Sequence, residues 1–181
     1  MSTQTPEFKP FGRIPRLKRE CIITEKIDGT NALVWVDDDV TQVRAGSRNR
    51  WITPEDDNYG FAGWVAANER ELLRLGPGYH YGEWWGKGIQ RGYWMNEKRF
   101  SLFNTGRWSH AGRPSCCGTV PILHVGQFTT EIVDNTLGAL RRSGSIAAPG
   151  FMDPEGVVVL LPASGTLHKV TLGNDGHKGA R

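Results

Sequence analysis

The sequence predicts an α+β domain built largely on antiparallel sheet, and three observations carry that expectation. Apolar runs are short, as at Cys21–Ile23, Ala32–Val36, Val120–Val125 and Val157–Leu161, and Gly, Pro, Asn or Asp stand at or soon after their ends. Only two segments space their apolar residues as a helix does. Glycine and proline, 23 and 10 of 181 residues, supply many turns. The length suits one compact domain with its own core, and seven Trp and seven Phe offset a hydrophobic fraction of only 38%.

In chain order, residues 1–20 form a basic, proline-punctuated N-terminal segment. A strand over Cys21–Ile23, a bend at Gly29 and a strand through Val36 follow, so that Lys26 sits at a strand end. Asp37–Asp39 make an acidic turn before a short strand near Val43 and a basic loop over 44–50. Phe61, Trp64, Val65, Leu72 and Leu75 predict one helix, stopped by Gly76-Pro77-Gly78. Strands are predicted over Tyr79–Trp85 and Phe100–Asn104, with a Gly-rich loop over 86–92 between them. Residues 105–119 read as loop and 120–125 as strand. The second helix spans Thr129–Arg142 and stops at Gly144. Val157–Leu161 reads as a central strand, Leu167–Leu172 as its neighbour, and residues 176–181 as a flexible tail.

The net charge of +3 says little, but its distribution is uneven. Residues 86–107 hold Lys87, Arg91, Lys98, Arg99 and Arg107 against Glu97; residues 9–26 hold six cations against Glu20 and Glu25. These stretches suit a polyanion or a solvated face. Three cysteines, two of them adjacent, predict reduced thiols in the cytoplasm; zinc on Cys116, Cys117 and His124 would need an unusual spacing. No signal peptide and no membrane-spanning run is expected.

Chemistry-bearing residues recur at predicted strand ends: Lys26, Glu83, Phe103, Glu155 and Lys169, with Arg48 in a tight loop. Carboxylates for ribose hydroxyls and a metal, an aromatic for a base and cations for phosphates describe a nucleotide cleft. Taken singly, each has a plainer reading. Glu83 could pair with an arginine, Phe103 could be core, Glu155 could be a solvated turn, and Arg48 could neutralise Asp37–Asp39. Trp84, Trp85, Tyr93 and Trp94 are core or a stacking platform, with core expected for at least half.

In order, these residues resemble the motifs of the covalent nucleotidyltransferases, which include DNA ligases, RNA ligases and mRNA capping enzymes. Glu25-Lys26-Ile27-Asp28-Gly29-Thr30-Asn31 is similar to the first motif, Gly46-Ser47-Arg48-Asn49 to the next, and Tyr81-Gly82-Glu83-Trp84 to the third. Phe103 matches the base-stacking aromatic, Glu155-Gly156-Val157-Val158 the fourth motif, and His168-Lys169-Val170-Thr171 the fifth. The resemblance covers residues 20–175 and is nearest to small phage-type and bacterial ATP-dependent RNA ligases. It implies a nucleotidyltransferase (ATP-grasp-like) domain over 21–175, largely antiparallel sheets with flanking helices and no C-terminal OB domain. Thr171 stands where the family usually has a second lysine; Lys178 or His168 are candidate substitutes.

The resemblance implies Lys26 as nucleophile, with Glu155 and Lys169 also catalytic. Glu25, Ile27, Asp28, Asn31, Arg48, Glu83, Phe103 and Lys169 would bind the nucleotide, Glu155 the metal, and Lys87 and Arg91 the nucleic acid. ATP and Mg2+ or Mn2+ are the implied cofactors. The implied partners are RNA or other nucleic-acid ends bearing a 5′-phosphate and a 3′-hydroxyl, the enzyme working alone or with a protein partner that supplies end binding. Lys26 must be neutral to attack a phosphorus, and nearby Lys169, Arg48 and a metal would disfavour its charged form. The alternatives are a capping-type guanylyltransferase or minimal DNA ligase, and a binding module without catalysis, which Thr171 alone favours.

Overall fold

The computed structural model describes residues 9–14, 20–108 and 112–173. Two sheets carry the chain. The first contains β1 (Glu20–Lys26), β8 (Ile122–Gln127), β9 (Gly156–Leu161) and β10 (Thr166–Thr171), in the spatial order β10-β9-β1-β8, all antiparallel. The second contains β2 (Thr30–Val36), β3 (Val43–Gly46), β4 (Trp51–Ile52), β5 (Gly78–Gly86), β6 (Lys98–Leu102) and β7 (Cys117–Thr119). Its order is β4-β3-β2-β5-β6-β7, antiparallel except for β6 with β7. The α+β expectation holds, and the apolar run 157–161 lies between two strands, as expected.

Each sheet buries one face under helices, and strand alternation decides which residues go inside. Cys21, Ile23, Val157 and Val159 pack against Val133 and Leu140 of α4 (Thr130–Ser143). Ala32, Val34, Val36, Trp84, Phe100 and Leu102 pack with Phe61 and Val65 of α1 (Phe61–Ala67) and Leu72 of α2 (Glu69–Leu72). A third cluster, Ile27, Trp85, Tyr93, Val120, Ala148 and Phe151, lies beneath the β1–β2 turn.

The helix expected over 61–75 is broken. At Asn68 both the side-chain amide and the backbone N–H donate to the Trp64 carbonyl, which closes α1; α2 and a 3-10 turn over Leu73–Leu75 follow. The second helix is placed as its caps predict. Thr129 Oγ1 accepts from the Ile132 N–H at 3.1 Å, Glu131 lies in the first turn, and Gly144 at φ 78° ends the helix. That cap contributes about 1 kcal/mol. Within the stretch expected as loop, residues 105–108 form α3 (Thr105–Trp108) and 117–119 form β7.

Of the aromatic quartet, Trp84, Trp85 and Tyr93 are core, whereas Trp94 is 76% exposed. Cys21, Cys116 and Cys117 are free thiols, and among the described residues no three His, Cys, Asp or Glu side chains cluster to hold a metal. No helix among the described residues is long and apolar enough to cross a membrane. Lys178 and the tail over 176–181 lie outside the described residues, as does most of the basic segment over 1–20.

Candidate active site

Residues directly opposite one another on paired strands share a face. On the first sheet this makes three rows: Ile22–Leu160–Leu167, Thr24–Val158–Lys169 and Lys26–Gly156–Thr171. On the second it places Asn31 beside Glu83 and Ser101, and Leu33 beside Tyr81. These faces border a cleft of about 680 Å³, lined by Ile22, Leu160 and Leu167 on one side and by Asn31, Arg48, Tyr81 and Phe103 on the other.

Lys26 closes β1, and its Nζ lies 2.6 Å from Glu155 Oε2, with both side chains about four-fifths buried. Gly156 holds the next position at φ 154°. A Cβ there would fall 2.2 Å from the Val170 carbonyl oxygen, so the Glu-Gly pair is a steric requirement of β9 entering beside β10.

Glu83 lies at the far side of the β1–β2 turn and is 8% exposed. Its oxygens accept from the Gly29 N–H at 3.0 Å and the Asn31 side-chain amide at 3.3 Å. Burial pushes its carboxyl up to about 7, against the opposing pull of Lys26 and the Gly29 N–H. The turn passes so close that Gly29 has no room for a side chain.

Asp28 and Arg91 form an internal brace. Arg91 Nε donates to Asp28 Oδ2 at 2.9 Å, and a second guanidinium nitrogen reaches the Asp153 carboxylate. The Asp28 N–H donates to the Tyr93 hydroxyl at 2.7 Å, and burial raises the pKa of that phenol, keeping it neutral. Arg91, expected on nucleic acid, is therefore committed to two carboxylates, and it ties the turn after Lys26 to the loop before Glu155. The signal sequence reading lacked was its partners, 63 and 62 residues away.

Glu25 and Ile27 alternate with Lys26 and so turn their side chains to the opposite face. The Glu25 carboxylate, 1% exposed, accepts from the Ser145 hydroxyl at 2.5 Å and the Ile146 and Ala147 N–H groups at 2.8 and 2.9 Å. Ile27 is core. Neither side chain reaches the cleft; Glu25 anchors the loop after α4 to the strand that carries Lys26. Ser145 and Asp153 are supporting residues that sequence reading did not single out, and Tyr93, read there only as core or a stacking ring, supports the site through its hydroxyl.

Lys169 shares its face with Lys26, one row along, and Thr171 lies in the row of Lys26 itself. His168 alternates onto the other face, which removes it as a stand-in for the second lysine. Arg48 is exposed in the β3–β4 hairpin, where Ser47 N–H donates to the Arg50 carbonyl at 2.8 Å. It does not serve Asp37, whose carboxylate accepts from Thr41 and the Gln42 N–H. Phe103 is 41% exposed beside Tyr81, and Lys87 is exposed in the loop after β5.

A family model described as RNA ligase matches residues 19–168. The chain belongs to the RNA ligase family. Among curated proteins none matches this sequence. The fold of this RNA ligase-family chain is similar to that of Naegleria gruberi RNA ligase. A mutant of that ligase with ATP and Mn superposes at a TM-score of 0.63 with 18% identity, covering 84% of this chain and 50% of the other. A mutant with AMP and Mn gives 0.62 at 18% identity, covering 84% and 49%. An apo mutant gives 0.61 at 19% identity, with the same coverage as the AMP-bound one. The RNA ligase-family chain thus spans about half the length of these relatives.

Proposed function

We propose that this chain is the adenylation unit of an ATP-dependent RNA ligase, with residues 21–175 as the working domain. The observation that carries the reading is the Lys26–Glu155 contact, set beside buried Glu83, whose strand partner Asn31 lines the cleft together with Arg48 and Phe103. Family membership and a fold like that of a ligase with ATP or AMP and Mn support it.

Lys26 Nζ, as the free amine, attacks the α-phosphorus of ATP. A nitrogen–phosphorus bond forms, the bond to the bridging oxygen breaks, and pyrophosphate leaves. Glu155, at hydrogen-bond distance from Nζ, is placed to take the proton the amine gives up. Arg48 and Lys169 face the cleft as cations for phosphate, Phe103 offers a ring face to the base, and Glu83 with Asn31 is placed for the ribose hydroxyls. A 5′-phosphate oxygen then displaces Lys26 from the AMP phosphorus. A 3′-hydroxyl next attacks the activated 5′-phosphate, AMP departs, and the strand is sealed.

The donor set fits a magnesium-type ion that keeps its waters and leans on substrate phosphates, since the site offers it Glu155 rather than a full protein cage. When bound, that ion neutralises charge on the transferring phosphoryl and the leaving pyrophosphate. The nucleic-acid partner is an RNA end, with Lys87 exposed for its backbone, and the enzyme works alone or with a protein partner that supplies further end binding. The reading places the protein in the cytoplasm.

The test is intact-protein mass after incubation with ATP and Mg2+ or Mn2+, beside GTP and beside Lys26→Ala. One AMP added to the wild type alone supports the reading. A GMP adduct would move the chain to the capping class, and binding of ATP without any adduct would make it a binding module.

A further inference from the structure

The open face of the second sheet continues past the nucleotide cleft as a strip of aromatic rings. Register places Trp51, Gly46, Leu33 and Tyr81 in one row and Arg44, Trp35 and Tyr79 in the next, all opposite to the helix-covered face. Two-residue steps separate the rows by about 7 Å. Soluble proteins ordinarily keep such rings inside, yet Trp51 is 48% exposed, Tyr79 60% and Tyr81 57%.

The rings are ordered against one another. Tyr79 and Tyr81 lie nearly parallel, with centroids 6.4 Å apart and planes 13° from each other. Trp35 and Trp51 meet edge to face at 6.4 Å. Arg44 stands over Trp35 with its guanidinium carbon 5.7 Å from the ring centre. None of these two rows carries a carboxylate. The nearest acids in sequence are both engaged: Asp37 by its own turn, and buried Glu83, in the next row of the same face, by the Gly29 N–H and the Asn31 amide.

We propose that this strip is a stacking platform for a single-stranded segment of the RNA being joined. Flat rings with exposed faces accept bases of any identity, and the interleaved arginine meets the backbone charge. The strip is continuous with the nucleotide cleft, since Tyr79, Tyr81 and Arg48 line that cleft as well. Unpaired bases fit because a duplex keeps its base faces stacked on each other and offers none to a ring. The inference rests on the ligase reading for its choice of RNA.

The test is equilibrium binding of fluorescein-labelled, 5′-phosphorylated oligoadenylate, with lysyl–AMP formation in the absence of RNA measured in parallel. Trp51→Ala is expected to weaken binding about tenfold and Trp51→Phe to restore most of it, both adenylating at the wild-type rate. Arg44→Gln is expected to flatten the slope of log affinity against log salt by about 0.7, the loss of one phosphate contact. Unchanged binding by Trp51→Ala overturns the platform, as does a loss of adenylation that tracks the loss of binding. If the wild type binds the oligonucleotide through Trp51 yet forms no lysyl–AMP, the ligase reading fails and the platform stands.

Discussion

Lys26 Nζ and Glu155 Oε2 meet at 2.6 Å although 129 residues separate them in sequence. Hydrogen bonds from β1 to β9, ending at the Lys26–Gly156 pair, hold the two backbones together and leave little freedom to either side chain. Replacing Glu155 by Gln keeps the volume and removes the proton acceptor. The rate of lysyl–AMP formation, followed by intact mass, should fall about a hundredfold or more. A rate equal to wild type would remove Glu155 from the chemistry.

The buried carboxyl of Glu83 makes stability depend on pH. Its folded value, raised by burial to about 7, exceeds its ordinary 4.5. The folded protein therefore holds this proton more tightly than the unfolded chain does. The stability it contributes is fully present below 4.5 and is lost as pH rises through 7. In thermal unfolding across that window, Glu83→Gln should lose less stability than wild type. Parallel pH profiles for the two proteins would count against a buried, proton-holding Glu83.

Arg91 separates two roles cleanly, because self-adenylation needs no nucleic acid. As a brace between Asp28 and Asp153 it matters before any RNA arrives. Arg91→Met should slow adenylation by ten- to a hundredfold in order of magnitude through misplacement of Lys26 and Glu155, and Arg91→Lys should recover part of it. Full adenylation by Arg91→Met, with weakened RNA binding, would return Arg91 to the nucleic-acid surface.

Gly29 is a packing constraint. A Cβ there would lie 2.4 Å from the Trp84 carbonyl oxygen, 2.7 Å from Trp85 Cβ and 3.0 Å from Glu83 Cγ. Gly29→Ala is expected to destabilise the fold by about 1–3 kcal/mol, measured by denaturant unfolding, because backbone must move.

Thr171 occupies the row of Lys26 on the cleft face, where a lysine could reach substrate phosphate. Thr171→Lys should therefore keep or raise the adenylation rate. A large loss of rate from a folded variant would show that this position does not face phosphate.

Much of this was legible from local pattern. Alternation around Lys26 and Gly29, the Thr129 and Gly144 caps of α4, and the apolar run 157–161 each declare themselves within a few residues. What was hidden needed partners. Glu25 sits next to the lysine in sequence, yet strand alternation turns it toward Ser145, 120 residues on. Arg91 looked like a free cation in a basic loop because both its carboxylates are distant. Asn68 broke a helix whose apolar spacing continues across it, since a single side-chain contact to Trp64 outweighed the periodic signal.

Among the described strands β1 comes first in sequence, yet both of its partners come late. β1 is flanked by β8 and β9, so no segment before residue 122 can pair with it in its sheet. Until then β1 has both edges unpaired in its sheet, a state prone to mispairing. The carboxylate for Lys26 arrives later still, at Glu155. The Lys26–Glu155 contact therefore cannot form until the chain has been made through residue 155, and the site proposed for adenylation assembles late in synthesis.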